Sequence, residues 1–404
     1  MARPDPIELG LEQLRRDRER RVVIPELVQR KLAKVVASPL AFLRGSAPLF
    51  YEMLAEHPEL AEGPPDAGHL CGDAHVENFG VYRTAHAKSK GTPVDPELAA
   101  FVFDVNDFDE TIVGPWRFDV LRLLASLVLA GRELAANGTQ IIGLARTLLT
   151  SYVETAFSGR GLADPPPPVA RLLAKAEKRS ARDVLDRRTQ VVGNTRRFIL
   201  GARYLALPSE LEPAARTAFA EYVQNANADE LPKDHCDVVD LAFRVAGTGS
   251  LGALRVAVLA RGKGGSEGGW LFDMKEEGAP AATPVCASPA GLEGAPRVVG
   301  GMRACLSWPP RMLGTTAMNG VSLLVRRLAP QEDKLDLTSI AKNELEGVAG
   351  FLGALLGRAH RHGATNAGTA PWSWSDLDAM IDRAVTVAGV HEAAYLAYCK
   401  AVAR

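Results

Sequence analysis

Residues 71–80 read Cys-Gly-Asp-Ala-His-Val-Glu-Asn-Phe-Gly, and further on comes Asp104-Val-Asn-Asp-Phe-Asp-Glu-Thr. Asp73 and Asn78 stand five apart in what reads as a tight loop, and the second motif closes a strand-like run with acidic residues. Such a set suits phosphoryl transfer. One carboxylate takes the proton of an attacking hydroxyl, an amide oxygen a few residues on holds a metal, and a second carboxylate holds that metal against nucleotide phosphates. Asp73 is the candidate for the first role and Asn78 for the second, with Asp107 or Asp104 for the third. The plainer alternative is a polar loop whose Asp and Asn only cap turns. His75 either orients a carboxylate or supports the loop by hydrogen bonding. Asp104, Asp107, Asp109 and Glu110 form a carboxylate cluster that is costly without a cation. The apolar Phe101-Val-Phe before it argues for a partly buried mouth over a solvated acidic turn. Asp119, after Gly114-Pro115, is placed to hold the loop by accepting backbone hydrogen bonds.

A third constellation is Gly247-Thr-Gly249-Ser250-Leu-Gly252 between two strand-like runs, with Lys275 on the next. A dinucleotide-binding turn requires a helix after the glycines. A strand after them fits instead a hairpin that covers phosphates, with Lys275 as the strand lysine that contacts them. An ordinary hairpin with an exposed lysine is the alternative.

The elements that must position these residues are legible from periodicity. Residues 1–70 are predominantly helical in spacing, and 101–105 form a short strand. A helix runs from Trp116 to Leu134 with Phe118, Leu121, Ala125 and Val128 on one face. Asp164 and the prolines 165–168 mark a boundary. Residues 171–197 hold nine Lys/Arg against three Asp/Glu, either a solvated helix face or a docking surface for an anion. From Asp237 the texture becomes β: strands at 238–245, 254–260 and 270–275, a Gly-rich tip at 262–269, and further strand sequence at 318–328. Helices return at 337–361 and from Trp374 onward.

The formal net charge of −1 provides no global field to recruit nucleic acid or an acidic membrane. Five dispersed cysteines without a C-x-x-C pair predict a reducing compartment rather than a disulfide framework. The charged N-terminus lacks an apolar signal core, and no apolar run reaches bilayer length, so a cytoplasmic protein without membrane contact is expected.

Together the motifs resemble the protein kinase-like superfamily, especially its aminoglycoside and choline phosphotransferase branch, with patterns near G-D-x-H-x-x-N and I-D-F-D-D…G-P…D-L-A. Gly72-Asp-Ala-His-Val-Glu-Asn78 and Asp107-Phe-Asp-Glu…Gly114-Pro…Asp119-Val-Leu follow them, with Asn106 and Glu110 as departures. More closely, the chain resembles the bacterial domain of unknown function 2252 family over about residues 20 to 395. The signatures carrying this are Ser38-Pro-Leu-Ala-Phe-Leu-Arg44-Gly, the two acidic loops, Gly247-Thr-Gly-Ser-Leu-Gly and Lys275-Glu276. The resemblance implies an ATP- and Mg²⁺-dependent phosphotransferase acting on a small-molecule or protein hydroxyl. Asp73 would be the base, Asn78 and Asp107 (or Asp104) the metal ligands, and Lys275 the phosphate clamp. Gly247, Gly249, Ser250 and Gly252 would be the lid, with His75, Asp109, Asp119 and Arg44 in support.

It also implies an α+β, bilobal kinase-like fold in circularly permuted order, because the glycines and lysine follow the catalytic loop instead of preceding it. The expected division is a helical part at 1–235, a small antiparallel β lobe at 236–330, and C-terminal helices at 331–404 that pack back on the helical lobe. In the family the helix near Arg297-Val-Val usually continues with an acidic residue, whereas here Gly300 follows. Glu293, Glu276 or Glu277 is left to pair with Lys275. A nucleotide-binding protein without catalysis, transfer of AMP, or metal-dependent phosphoester hydrolysis remain as alternatives, the last disfavoured by the lack of a second His cluster.

Overall fold

In the computed structural model, residues 5–404 are described apart from 21, 85–100, 160, 227–230, 232, 263–267, 287–292, 329–332 and 369. Most of the Gly-rich tip expected at 262–269 therefore lies outside the described residues.

The chain opens with helices α1 (Pro6–Glu19), α2 (Glu26–Val35), α3 (Pro39–Gly45) and α4 (Ala47–Glu56). Asp5 caps α1 by accepting the Ile7 N–H, and Ser38 caps α3 ahead of Pro39 at its first position. Short strands follow: β1 (Ala67–Leu70), β2 (Phe79–Arg83), β3 (Phe101–Val105) and β4 (Ile112–Pro115). Helices α5 (Trp116–Glu133), α6 (Gly138–Ser158), α7 (Pro167–Glu177) and α8 (Ala181–Arg188) come next. The expected 116–134 helix is thus present, and α5 is buried on nearly every side.

A hairpin of β5 (Thr189–Val192) and β6 (Thr195–Phe198), then β7 (Tyr204–Leu205) and α9 (Glu212–Asn225), lead into the main sheet. That region holds β8 (Val238–Arg244), β9 (Arg255–Ala260), β10 (Trp270–Glu276), α10 (Gly294–Cys305), β11 (Gly314–Met318) and β12 (Val321–Arg327). β13 (Asp333–Lys334), α11 (Leu345–His362), β14 (Ala364–Asn366) and α12 (Trp374–Val402) complete the chain. The fold is mixed α+β with antiparallel sheets.

The largest core joins α4, α5, α6 and α11 to the strands around the acidic loops. α11 lies against α6 at close range because two of its residues lack a side chain. A Cβ at Gly353 would stand 2.1 Å from the Leu148 carbonyl oxygen, and one at Gly357 2.4 Å from that of Tyr152. The helix that follows the β region thus packs on the part that carries Asp73.

The six-stranded sheet has the order β11-β12-β10-β9-β8-β7. Its period-two alternation sorts side chains onto two faces. Val256, Val258, Phe272 and Met274 meet Phe219 and Tyr222 of α9, while Ala257, Leu259 and Leu271 meet Leu185, Phe198 and Tyr204. Since α9 and β7 belong to this layer, it begins before position 236, because the apolar face of β9 and β10 needs a helix to cover it. β13 in turn pairs with β2, which stitches the segment after the sheet to the strand that follows the Asp73 loop.

Candidate functional site

The loop between β1 and β2 carries Asp73 and Asn78, and the surrounding fold fixes its backbone. Asp119 in the first turn of α5 accepts the N–H groups of Cys71 (2.8 Å) and Gly72 (3.0 Å). Tyr51 donates to the Gly72 carbonyl at 2.6 Å, and Ser126 accepts the Val76 N–H at 3.0 Å. Gly72 has φ +82°, and a Cβ there would stand 1.9 Å from the Glu110 carbonyl oxygen, so a glycine lets the two acidic loops touch. His360 of α11 completes the support: its Nε2 lies 3.2 Å from Asp119, its Nδ1 is 2.9 Å from the Tyr152 hydroxyl, and its ring stacks on Trp116.

The second loop follows β3. Asn78 ties it to the first, its Nδ2 donating to the carbonyls of Asp73 (3.1 Å) and Asp107 (3.0 Å). The other end of that amide, Oδ1, is buried and has no partner among the described residues. Alternation along β10 puts Lys275 on the face shared with Asp273 and Leu271, at the edge that meets the acidic loops. The Lys275 ammonium is ion-paired with Asp109 and lies 3.4 Å from Glu277. The glycine turn lies across the same opening. Arg20 donates to the Gly249 carbonyl and Lys34 to that of Gly247 at 3.0 Å, tethering the turn to α1–α2.

These parts enclose a polar cleft of about 560 Å³, lined by Asp73, His75, Asp107, Asp109, Lys275, Gly247, Gly249, Ser250, Arg44 and Lys334 among others. Its two principal carboxylates have opposite surroundings. Burial pushes the Asp73 carboxyl up to about 6, although the Arg122 guanidinium opposes the shift. Burial also acts on Asp107, but the positive charges of Lys275 and Lys334 outweigh it and hold this carboxyl below its usual range. Burial raises Glu110 to about 7, and its carboxylate accepts the Ala281 N–H at 2.5 Å. Burial, with Arg44 and Lys334 adding, lowers His75 and favours the neutral imidazole, which lies 3.8 Å from Asp73.

The structure therefore gathers Asp73, His75, Asp107, Asp109, Lys275, Arg44, Gly247, Gly249 and Ser250 around one opening. Asn78 is instead buried beneath the two loops it ties together, and Gly252 packs against Val22 and Leu27, neither lining the cleft. Asp104, expected as an alternative metal ligand, requires correction. Its carboxylate is 1 % exposed, pairs with Arg358 of α11 at 2.5 Å and does not line the cleft. It sits on β3 itself, whereas Asp107 lies past the strand end. Of the three carboxylates considered for Lys275, Glu277 makes the contact. Glu276 accepts the Leu254 N–H at 2.9 Å instead, and Glu293 is exposed at the start of α10.

Three participants were not anticipated. Arg122, fully buried on α5, holds Asp73 at 2.5 Å and also donates to the Leu43 carbonyl at 2.8 Å. Its one sequence signal is a charge inside the apolar run of a helix. Arg297 on α10 donates to the carbonyls of Thr111, Asp109 (2.8 Å) and Gly278 (3.0 Å), joining the acidic loop to the sheet. Lys334 reaches the cleft only through the pairing of β13 with β2, which local sequence does not signal. The basic stretch 171–197 lies on α7, α8 and the β5–β6 hairpin and does not line this cleft. Several of its cations are paired, as with Arg171–Glu344, Arg179–Asp333 and Arg196–Asp186. No helix among the described residues is long and apolar enough to cross a membrane.

Compared with protein families, residues 20–401 match the one described as uncharacterized protein conserved in bacteria (DUF2252). Comparison with curated proteins and with solved structures returns no match. The match spans nearly the whole chain, so the protein belongs to that family.

Proposed function

We propose that this member of the bacterial DUF2252 family is an ATP- and Mg²⁺-dependent phosphotransferase with a circularly permuted kinase-like arrangement, transferring the γ-phosphoryl group to a hydroxyl. The observation that carries the reading is the meeting of an acid loop, a metal loop, a strand lysine and a glycine turn, from widely separated parts of the chain, around one cleft. In this arrangement Asp73 accepts the hydroxyl proton, and Arg122 fixes the direction of that carboxylate. Lys275 exchanges its contact with Asp109 for phosphate oxygens, and the Gly247–Gly252 turn covers them.

The residues present fit a magnesium ion. Asn78 offers a buried amide oxygen with no partner among the described residues, and Asp107 offers a carboxylate kept ionised by its cationic neighbours. Mg²⁺ typically takes one or two protein oxygens and fills its shell from phosphates and water, so a larger cage is not needed. When bound, the ion would draw the nucleotide phosphates together and neutralise charge developing on them.

A second reading, nucleotide binding without transfer, is favoured by one observation: the Arg122 guanidinium holds Oδ1 of the Asp73 carboxylate, the group that would take the proton. Incubating the protein and a panel of hydroxyl acceptors with ATP labelled at the γ position, and separately at the α position, decides the matter. γ-label on the acceptor supports phosphotransfer, α-label replaces it by AMP transfer, and bound nucleotide with no label transferred leaves the non-catalytic reading.

A further inference from the structure

The cleft reaches past the acidic loops. Beyond Asp73 and His75 its wall continues onto the N-terminal helices, where Gln13, Arg16, Arg20, Lys31 and Arg44 line it. We propose that this end is the acceptor subsite and takes a small hydroxyl compound bearing a carboxylate or phosphate, not a polypeptide. The proposal rests on the phosphotransferase reading and adds the class of acceptor.

Polar groups at this end are held in place yet unsatisfied. Gln13 is 2 % exposed and its Oε1 has no partner among the described residues. Arg16 spends part of its guanidinium on Glu12 (3.1 Å) and Glu52, and Arg44 pairs with Glu77. Arg16 Nη1 and Arg44 Nε are nevertheless buried without an acceptor among the described residues. A buried N–H left unpaired calls for an occupant, and two guanidiniums fixed by carboxylates, each with a donor to spare, are preorganised for oxygen anions. Behind them Lys31 and Asp17 form a buried pair at 2.6 Å, with the Tyr398 hydroxyl on Asp17 at 2.8 Å, which makes the wall rigid. Arg16, Lys31 and Arg44 already have carboxylate partners, so the spare guanidinium donors, and not an excess of positive charge, recommend this end for an anionic group.

The roof argues for a small acceptor. Arg20 and Lys34 hold the glycine turn from its outer side, and the Val23 N–H bonds the Gly252 carbonyl at 3.2 Å. A volume of about 560 Å³ is of the size that holds a nucleotide with a small partner, not an extended chain. In the step proposed, the acceptor hydroxyl oxygen bonds to the γ-phosphorus and its proton passes to Asp73. The bond from that phosphorus to the β–γ bridging oxygen breaks and ADP departs, while the acceptor's own anionic group stays on Arg16 and Arg44.

The test is calorimetric titration of the full chain, with and without Mg²⁺ and a non-hydrolysable ATP analogue. The probes are matched pairs: glycerol 3-phosphate against glycerol, glucose 6-phosphate against glucose, glycerate against glycerol. At least one anionic member should bind about tenfold or more tightly than its neutral partner, as expected for charge-assisted hydrogen bonds. Arg16→Gln and Arg44→Gln should each lose most of that preference, with melting temperature reporting whether they fold. Arg15→Gln, whose side chain is 57 % exposed and paired with Glu12 and Glu19, should keep it. No preference in any wild-type pair, or a preference that survives both substitutions in folded protein, overturns the subsite while leaving nucleotide binding to be judged from the analogue titration. Failure of the analogue to bind overturns the phosphotransferase reading, and with it the assignment of the subsite to an acceptor.

Discussion

Asp73 and Asp107 have opposite surroundings, as the proposed phosphotransfer needs of a carboxylate that takes a proton and one that holds a cation. Burial dominates at Asp73 and lifts its carboxyl to about 6, while Lys275 and Lys334 win at Asp107. Asp73→Asn keeps the shape and the phosphate contacts, so nucleotide-analogue binding should change little while transfer falls ~10²–10⁴-fold, the range for a positioned base. A variant retaining more than about a tenth of wild-type turnover would remove Asp73 from that role. The two remaining acids separate by assay. Asp107→Ala should weaken Mg²⁺-dependent nucleotide binding in a titration. Asp104→Ala should leave that binding nearly intact but lower thermal stability, because it strands Arg358 beside a buried gap. The cost should be about 2 kcal/mol, below the range for a fully buried pair because Arg358 is 22 % exposed. The reverse pattern would return the metal role to Asp104.

At the scale of the element, β10 shows how one strand serves both stability and chemistry. Its Phe272 and Met274 fill the core under α9, and the opposite row runs Leu271, Asp273, Lys275 from apolar interior to cleft. Asp273 is buried among Arg255 (2.5 Å), Arg244 (2.5 Å) and Arg326 (4.0 Å). Burial alone would raise its carboxyl, but Arg244 and Arg255 outweigh burial and hold it well below the ordinary 3.8. The charged form is the one the fold favours, so its contribution is complete above about pH 4 and drains away as pH falls through the native value. Asp273→Asn removes that contribution. The difference in unfolding free energy between wild type and variant should be largest near neutral pH and should shrink below about pH 4. A difference that stays constant with pH would show that the charge is not its source.

Across the whole molecule, helices and sheet meet through a few polar ties, not through one apolar seam alone. Arg297 is the most connected of these, since one guanidinium reaches the acidic loop and the carbonyl just past β10. Gly300 stands where an acidic residue was expected on this helix, Arg297 one turn earlier holds the loop, and Glu277 lies beside Lys275. Arg297→Met keeps the length and removes the donors. It should speed amide hydrogen exchange across residues 106–111 and lower stability by at least about 2 kcal/mol, given that hydrogen bonds to charged groups contribute ~1.5–3 kcal/mol each. Unchanged exchange in that segment would mean the tie does not hold the two layers together.

The sequence by itself determined the local pieces. The spacing of apolar residues located α5, the three central strands and the last two helices, and Gly72, Asp73, Asn78, Asp107 and Lys275 were marked by type and interval. Asp119 was legible too, because a helix-start carboxylate just after Gly114-Pro115 is near enough in the chain to receive the loop's N–H groups. What only the tertiary structure decided concerns partners remote in sequence. Arg122 meeting Asp73, Arg358 claiming Asp104, β13 delivering Lys334 and α1 walling the cleft all depend on packing between distant segments. Local pattern carries helix and strand period, since those arise from residues three, four or two apart. That Asp104 lies out of the cleft while Asp107 lines it goes with a single arginine on a helix far downstream, and no interval within the motif encodes it.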